Sequence, residues 1–436
     1  MDRRKFLEGL ACSALAAPFW ANRARAGVGD YSRLPAPDPA RRAVYLIPGY
    51  RQADIFMNGR PARQQRKLMA NIPRDYRANL TLVTKIDEAT GAVARTFLPV
   101  RGHDIAVAGD NRRAVFVAQD GPTLVSFDID TLEIDVFHEY DTETRGGGHG
   151  VYFNGDAEIA ICERKPYAPY AGDPAAHFGW LTIRDSKTLQ ELARYDCRGV
   201  APHEVNIMAD GAHLAISSYG STLWPEGAQG PHRYVVEPSI VIMELASGKV
   251  LDKLTVERPA SEYRHLAGYA RDRIFVMQNA ATAFSRVRAE FADRDEPVEF
   301  DFLGDSAGEK AQPVIHAKFG ETATETTFLQ SEKSSDMVRG QSIIYDPAHD
   351  EVLATYTTSQ TVVVFDGATG TFKKALRTDL HGLELPRGIV LHPDGIHYAV
   401  AGERRGVYLF RRGTHELVRD RCFYEATFGH AHISVA

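Results

Sequence analysis

Short runs of alternating apolar and polar residues recur along most of the chain, separated by turns rich in Gly, Asp, Asn and Thr. Alternation with period two predicts half-buried β-strands, and the small polar turns between them predict hairpins. One such strand–turn–strand unit covers residues 84–91 and returns at 126–132, 182–189, 243–249, 364–370 and 409–414. Successive copies lie roughly 45 to 60 residues apart, a spacing that suits four-stranded propeller blades. One gap is about twice as long and is expected to hide a degenerate copy near 299–319. No long stretch carries a helical period, so the expected fold class is all-β.

A second recurring pattern sets the phase of each unit. Gly102-His103-Asp104, Gly148-His149-Gly150, Pro202-His203-Glu204 and Arg264-His265-Leu266 each place a histidine at the start of a short alternating run. Aligned on these, the inner strands begin near His103, His149, His203, His265, Arg339 and Arg387, with a seventh at residues 431–435. The seventh has no outer strands after it. Strands around Tyr45, Leu82 and Val93 supply them, so the expectation is a single seven-bladed propeller closed by N- and C-terminal strands, of the WD40/YVTN-like kind. Six or eight blades, or a two-domain β protein, are the alternatives. Long insertions at 164–179 and 219–238 carry Tyr167, Tyr170, Trp180, Tyr219, Trp224 and Tyr234, and are read as ordered loops over one face. Residues 51–79 read as an irregular, partly basic insertion with one helical turn, and 283–297 and 307–313 as surface excursions.

The extreme N-terminus reads as an address. Arg3 and Arg4, a short apolar run over 9–20 and Ala24-Arg25-Ala26 match a twin-arginine export signal. Residues 1–26 are therefore assigned to the signal peptide, 27–41 to an extended lead-in and 42–436 to the propeller. The mature protein is expected in the periplasm and not spanning the membrane, since the apolar run is too short to cross a bilayer comfortably. Hydrophobic content of 44% suits a well-buried globular chain, and a net charge of −6 without a basic stripe argues against nucleic acid. After cleavage Cys162, Cys197 and Cys422 remain, allowing at most one internal bridge. No Cys-x-x-Cys-His occurs, which excludes covalent c-type haem, and no nucleophile elbow is visible.

If the blades close into a ring, His103, His149, His203 and His265 face one another at a channel mouth, with His432 and His430 alternating nearby. Neutral imidazole is a good ligand for copper, zinc, iron and nickel, and Asp104 and Glu204 can orient ligating rings. Arg339 and Arg387 crowd a cation but suit an anionic ligand. The remaining histidines, His138, His177, His213, His232, His392 and His397, lack the register and read as surface or turn residues. Gly146-Gly147-Gly148 resembles a phosphate loop in composition only. The competing reading makes the histidines structural, each bonding the tight loop before its strand.

The export signal followed by the four histidine motifs in order resembles an uncharacterised bacterial family (a domain of unknown function) of twin-arginine-exported seven-bladed propellers. The resemblance covers about residues 95–410. It implies a periplasmic protein tied to iron or other transition-metal acquisition, encoded beside imelysin-type iron-regulated lipoproteins and dihaem oxidoreductase-like proteins. The insertion at 51–79 and the Gly-His430-Ala-His432 end depart from that pattern. In architecture alone the chain is similar to the multi-histidine copper propeller of nitrous oxide reductase, without its cupredoxin domain. The expected function is thus periplasmic handling of iron or copper at His103, His149, His203, His265 and His432, with Arg339, Arg387, Glu204 and Asp104 lining the site and periplasmic iron-handling proteins as partners. A protein-interaction scaffold and a metal-dependent oxidoreductase are the alternatives, and a non-catalytic role is favoured over an enzyme.

Overall fold

A computed structural model describes residues 29–51, 80–228, 233–256, 261–279, 311–404, 406–424 and 432–436. Arg3 and Arg4, the rest of the expected signal peptide, residues 52–79, most of the expected excursions at 283–297 and 307–313, His232 and His430 lie outside the described residues. Seven antiparallel sheets follow one another as blades, and blades two to seven each begin with the innermost strand. The inner strands of blades two to seven are Gly102–Val107, Arg145–Phe153, Pro202–Ile207, Glu262–Ala270, Gly340–Asp346 and Glu384–Leu391. Blade one is built from both chain ends: Ser434–Val435 pairs with Val44–Arg51, which continues to Thr81–Asp87 and Val93–Leu98. That closure leaves the ring no free inner edge. Among the described residues there is no α-helix, and no helix long and apolar enough to cross a membrane.

The turn chemistry that sets the repeat is visible atom by atom. Asp128, Asp185 and Asp366 each end a strand and accept from the backbone N–H three residues on, at 2.8 Å. Gly91, Gly248, Gly370 and Gly413 then take left-handed φ values between 68° and 72°, which glycine adopts without a Cβ penalty. Alternation does the rest. Each strand turns one row of side chains to the blade before it and one to the blade after. Seven apolar layers result, one between each pair of neighbours: Phe116, Val125 and Val83 join blades one and two, and Tyr45, Ile86 and Leu409 join seven and one. The other five repeat the arrangement.

The inner strands of six blades share a departure from simple alternation near their first residues, and Glu262–Ala270 has a second between Gly268 and Ala270. His103 stands as an extra residue between Gly102 and Asp104, which pair with the consecutive Ala118 and Val117. His203 and Arg387 are inserted in the same way. Register shifts also fall at 147–149, 264–265 and 341–342. A β-bulge bends its strand and re-aims the extra side chain, here to the axis. The sixth blade carries its bulge at Gln341-Ser342, so Arg339, expected in line with the histidines, instead precedes the strand with a left-handed φ of 63°.

The opposite ends of the inner strands are closed by residues 29–38. The Gly29 carbonyl accepts from Ile207 N–H at 2.6 Å, and Asp38 N–H donates to the Asp394 carbonyl at 2.8 Å. Between them the buried Tyr31 accepts from Tyr345 N–H at 3.1 Å and packs edge-on to Tyr269. The expected extended lead-in is thus a strap over the mouth remote from the histidines. Among the described residues the three cysteines are free thiols, with no internal bridge.

Candidate metal centre

The bulges bring together imidazoles that lie up to 329 residues apart in the numbering, from His103 to His432. His103, His149, His265 and His432 each offer a nitrogen, and these four atoms lie within 4.8 Å of one another. His149 and His265 are buried; His103 and His432 are half-buried and form the open side. Ring centroids of His103 and His432 are 4.1 Å apart, and His149 stands perpendicular to both. A tetrahedral site with metal–nitrogen bonds of about 2.1 Å separates its donors by about 3.4 Å, so a modest contraction of the foursome fits an ion.

Three of the rings are oriented from the blade before them. His149 Nδ1 faces Asp104 Oδ2 at 3.2 Å, His203 Nδ1–H donates to the Gly147 carbonyl at 2.7 Å, and His265 Nδ1 faces Glu204 Oε2 at 2.9 Å. Anchoring Nδ1–H in this way leaves the Nε2 lone pair for the axis, the outer-sphere device that fixes a ligating histidine. Each carboxylate serves the histidine of the next blade rather than the one beside it in sequence. Asp104 also receives the Ser434 hydroxyl at 3.3 Å, and Glu204 also receives Leu266 N–H at 3.0 Å. His149 Nε2 is buried and finds no hydrogen-bond partner among the described residues. An orphaned nitrogen on an imidazole grouped with three others fits a metal ion better than a structural histidine, which would be satisfied.

His203 stands beside the foursome. Its Nε2 lies 3.2 Å from His103 Nε2 and 3.2 Å from the Tyr219 hydroxyl, which donates to it, so its lone pair is already engaged. The approach depends on Gly148, whose φ is +130°; a Cβ there would sit 2.5 Å from the His203 ring. The glycine run is therefore a packing device and holds no helix N-terminus. Burial, with the charges of the neighbouring imidazoles, holds His103, His203 and His265 well below the ordinary histidine pKa. Burial also opposes protonation of His149, but the Glu204 and Asp104 carboxylates outweigh it and raise its pKa. Burial raises Glu204 above the usual carboxylate range.

Of the two arginines expected at the site, Arg387 fills the bulge of blade seven, with its guanidinium paired to Glu403, and its charge bears on His265. Arg339 is buried one residue before its strand, and its carbonyl accepts from Thr357 N–H at 3.0 Å. His392 and His397, expected at the surface or in turns, flank the turn at 393–396 and are buried, His397 as the first residue of the strand His397–Arg404. Asp394 faces both rings, and Arg421 joins it to Glu88, which in turn meets His392 at 2.9 Å. A guanidinium already fills the cationic role in that network.

Sequence reasoning missed a cluster beside His203, built from two strands and the loops next to them. Arg164 and Arg233 both stack on Tyr167 at 4.9 Å, and Arg164, Arg233 and Arg264 all lie within 5.5 Å of the Tyr219 ring. The long aromatic insertions signalled its tyrosines, whereas Arg164 and Arg264, on separate strands, and Arg233, on a loop, are brought together only by the fold.

No curated protein matches the chain. Among solved structures it is similar to hydrazine synthase of Kuenenia stuttgartiensis, at 14% identity and a TM-score of 0.52, covering 78% of this chain and 91% of that one. It is also similar to the β-propeller domain of Cps50 (Swd1) from Myceliophteria thermophila, at 11% identity and a TM-score of 0.43, with the same coverage. At such identities the first likeness speaks to the propeller fold alone. A family model described as "Protein of unknown function (DUF1513)" matches residues 96–407, and the chain belongs to that family.

Proposed function

We propose that this propeller binds a transition metal, iron or copper, through His103, His149, His265 and His432, with His203 supporting His103, and that it serves metal uptake or homeostasis. The observation that carries the reading is the buried Nε2 of His149, without a partner among the described residues, on a ring grouped with three other imidazoles. Four neutral nitrogen donors suit borderline metals, with copper held most tightly on affinity alone. Four protein ligands also fill a tetrahedral sphere, which favours holding an ion over activating a bound water. A non-catalytic binding role follows from that donor count.

The compartment belongs to the same proposal. Arg3 and Arg4 with the short apolar run support export through the twin-arginine route as a folded protein, and the resemblance supports periplasmic iron-handling partners beside imelysin-type proteins. Metal analysis of protein recovered from the periplasm tests the reading. About one equivalent of iron or copper is expected, lost in both His149→Ala and His265→Ala while the fold is kept. Wild-type protein without metal, and without affinity for added Cu(II) or Fe(II), overturns it.

A further inference from the structure

The arginine–tyrosine cluster above His203 has donors in want of an acceptor. Arg164 ends the strand Glu158–Arg164, is 1% exposed, and carries a buried Nε without a hydrogen-bond partner among the described residues. Its Nη2 lies against Asp120, and its Nη1 donates to the Tyr167 hydroxyl at 2.7 Å. Arg233 Nη1 donates to the same hydroxyl at 2.5 Å. A guanidinium cannot accept, so neither partner takes the Tyr167 hydroxyl proton. Glu262 is shared by Arg264, at 2.8 Å, and Arg233, at 3.5 Å, and also receives the Ser221 hydroxyl.

Three guanidinium groups thus face two carboxylates, Asp120 and Glu262, in a place closed to bulk water on the Arg164 side. Tyr219 ties this cluster to the imidazoles. Its ring lies against all three arginines, and its hydroxyl donates to His203 Nε2 while receiving Gln119. Arg233 and Arg264 stay partly exposed at 17% and 23%, which leaves a way in from the rim.

We infer that Arg164, Arg233 and Arg264, with Tyr167, form a binding site for a small carboxylate anion beside the metal centre. Planar guanidinium forks match a carboxylate's two oxygens, and the anion supplies the acceptor that Arg164 Nε and the Tyr167 hydroxyl lack. The inference deepens the metal reading, since an anion there offsets the charge a cation brings to neutral imidazoles. It also moves the anion-holding role from Arg339 and Arg387 to Arg164, Arg233 and Arg264.

The test uses the mature, metal-free protein, so that its outcome is separate from that of the metal analysis. Calorimetric titration with oxalate at low salt is expected to show one saturable site. Arg233→Gln and Arg264→Gln, chosen because their side chains reach solvent, are expected to weaken it about 10- to 100-fold, the loss of a charge-assisted hydrogen bond. Arg164→Gln should abolish it where the variant folds. Absence of oxalate binding to the wild type, or equal binding by both rim variants, overturns the inference even if the protein holds metal.

Discussion

Gly148→Ala isolates the contact on which the imidazole cluster closes. At φ +130° an alanine is strained, which costs about 1–3 kcal/mol. Its methyl would also sit 2.5 Å from both Cε1 and Nδ1 of His203 and 3.1 Å from His103 Cδ2. Overpacking of that kind costs about 1–3 kcal/mol more, and pushing the ring away breaks its 2.7 Å bond to the Gly147 carbonyl. The sum is about 2–6 kcal/mol. Gly172→Ala is the matched control, because Gly172 has a φ of +100° and nothing within 4 Å of the added carbon. It should lose only the strain contribution. Urea midpoints at constant m-value measure both, and the difference between the two variants reports the methyl–imidazole clash alone. Equal losses would mean that His203 yields freely, and the close packing derived for the centre would be refuted.

Metal affinity should fall about 10- to 100-fold in Glu204→Gln, measured by competition with a chelator, because the His265 ring loses its anionic anchor. Without metal, stability should drop as pH falls through about 6.5. Below that value the unfolded chain takes up protons that His103, His203 and His265 refuse when folded, whereas His149 opposes the trend, its contribution fading as pH rises through its raised pKa. Urea midpoints at pH 7.5 and 5.5 check the sign, and a higher midpoint at 5.5 contradicts it. Tyr31→Ala should cost about 3–5 kcal/mol of stability in the same assay, since the strap loses its buried anchor. Thiol labelling of native protein should spare the buried Cys162 and Cys197, and a reductant should leave the melting curve unchanged.

What could be read from the chain alone was whatever is encoded locally. Asp128-to-Thr131 and Asp366-to-Thr369 turns are set by neighbouring residues, so their recurrence announced seven blades and the closure by residues 44–51 and 434–435. The histidines were legible because each begins such a unit. Their bulges were not, since a period of two has no place for an inserted residue; hence Arg339 was aligned where Gln341 and Ser342 belong. Asp104 and Glu204 were recognisable as ring-orienting groups, but strand neighbours point to opposite sides. Only the closed ring shows that each serves the following blade.

That offset makes the centre a property of the whole ring. His149 needs Asp104 from blade two, His203 needs the Gly147 carbonyl from blade three, and His265 needs Glu204 from blade four. His432 enters only when the C-terminal strand docks beside Val44–Arg51, the same event that brings Ser434 to Asp104. No single blade, and no pair, holds four oriented nitrogens. A cation bound there bridges blades that otherwise meet through apolar layers and a few polar contacts, so it ties together the first and last strands of the ring. Binding energy in such an arrangement is folding energy, because the donors do not converge in the unfolded chain. A centre of this kind is assembled only when the propeller closes.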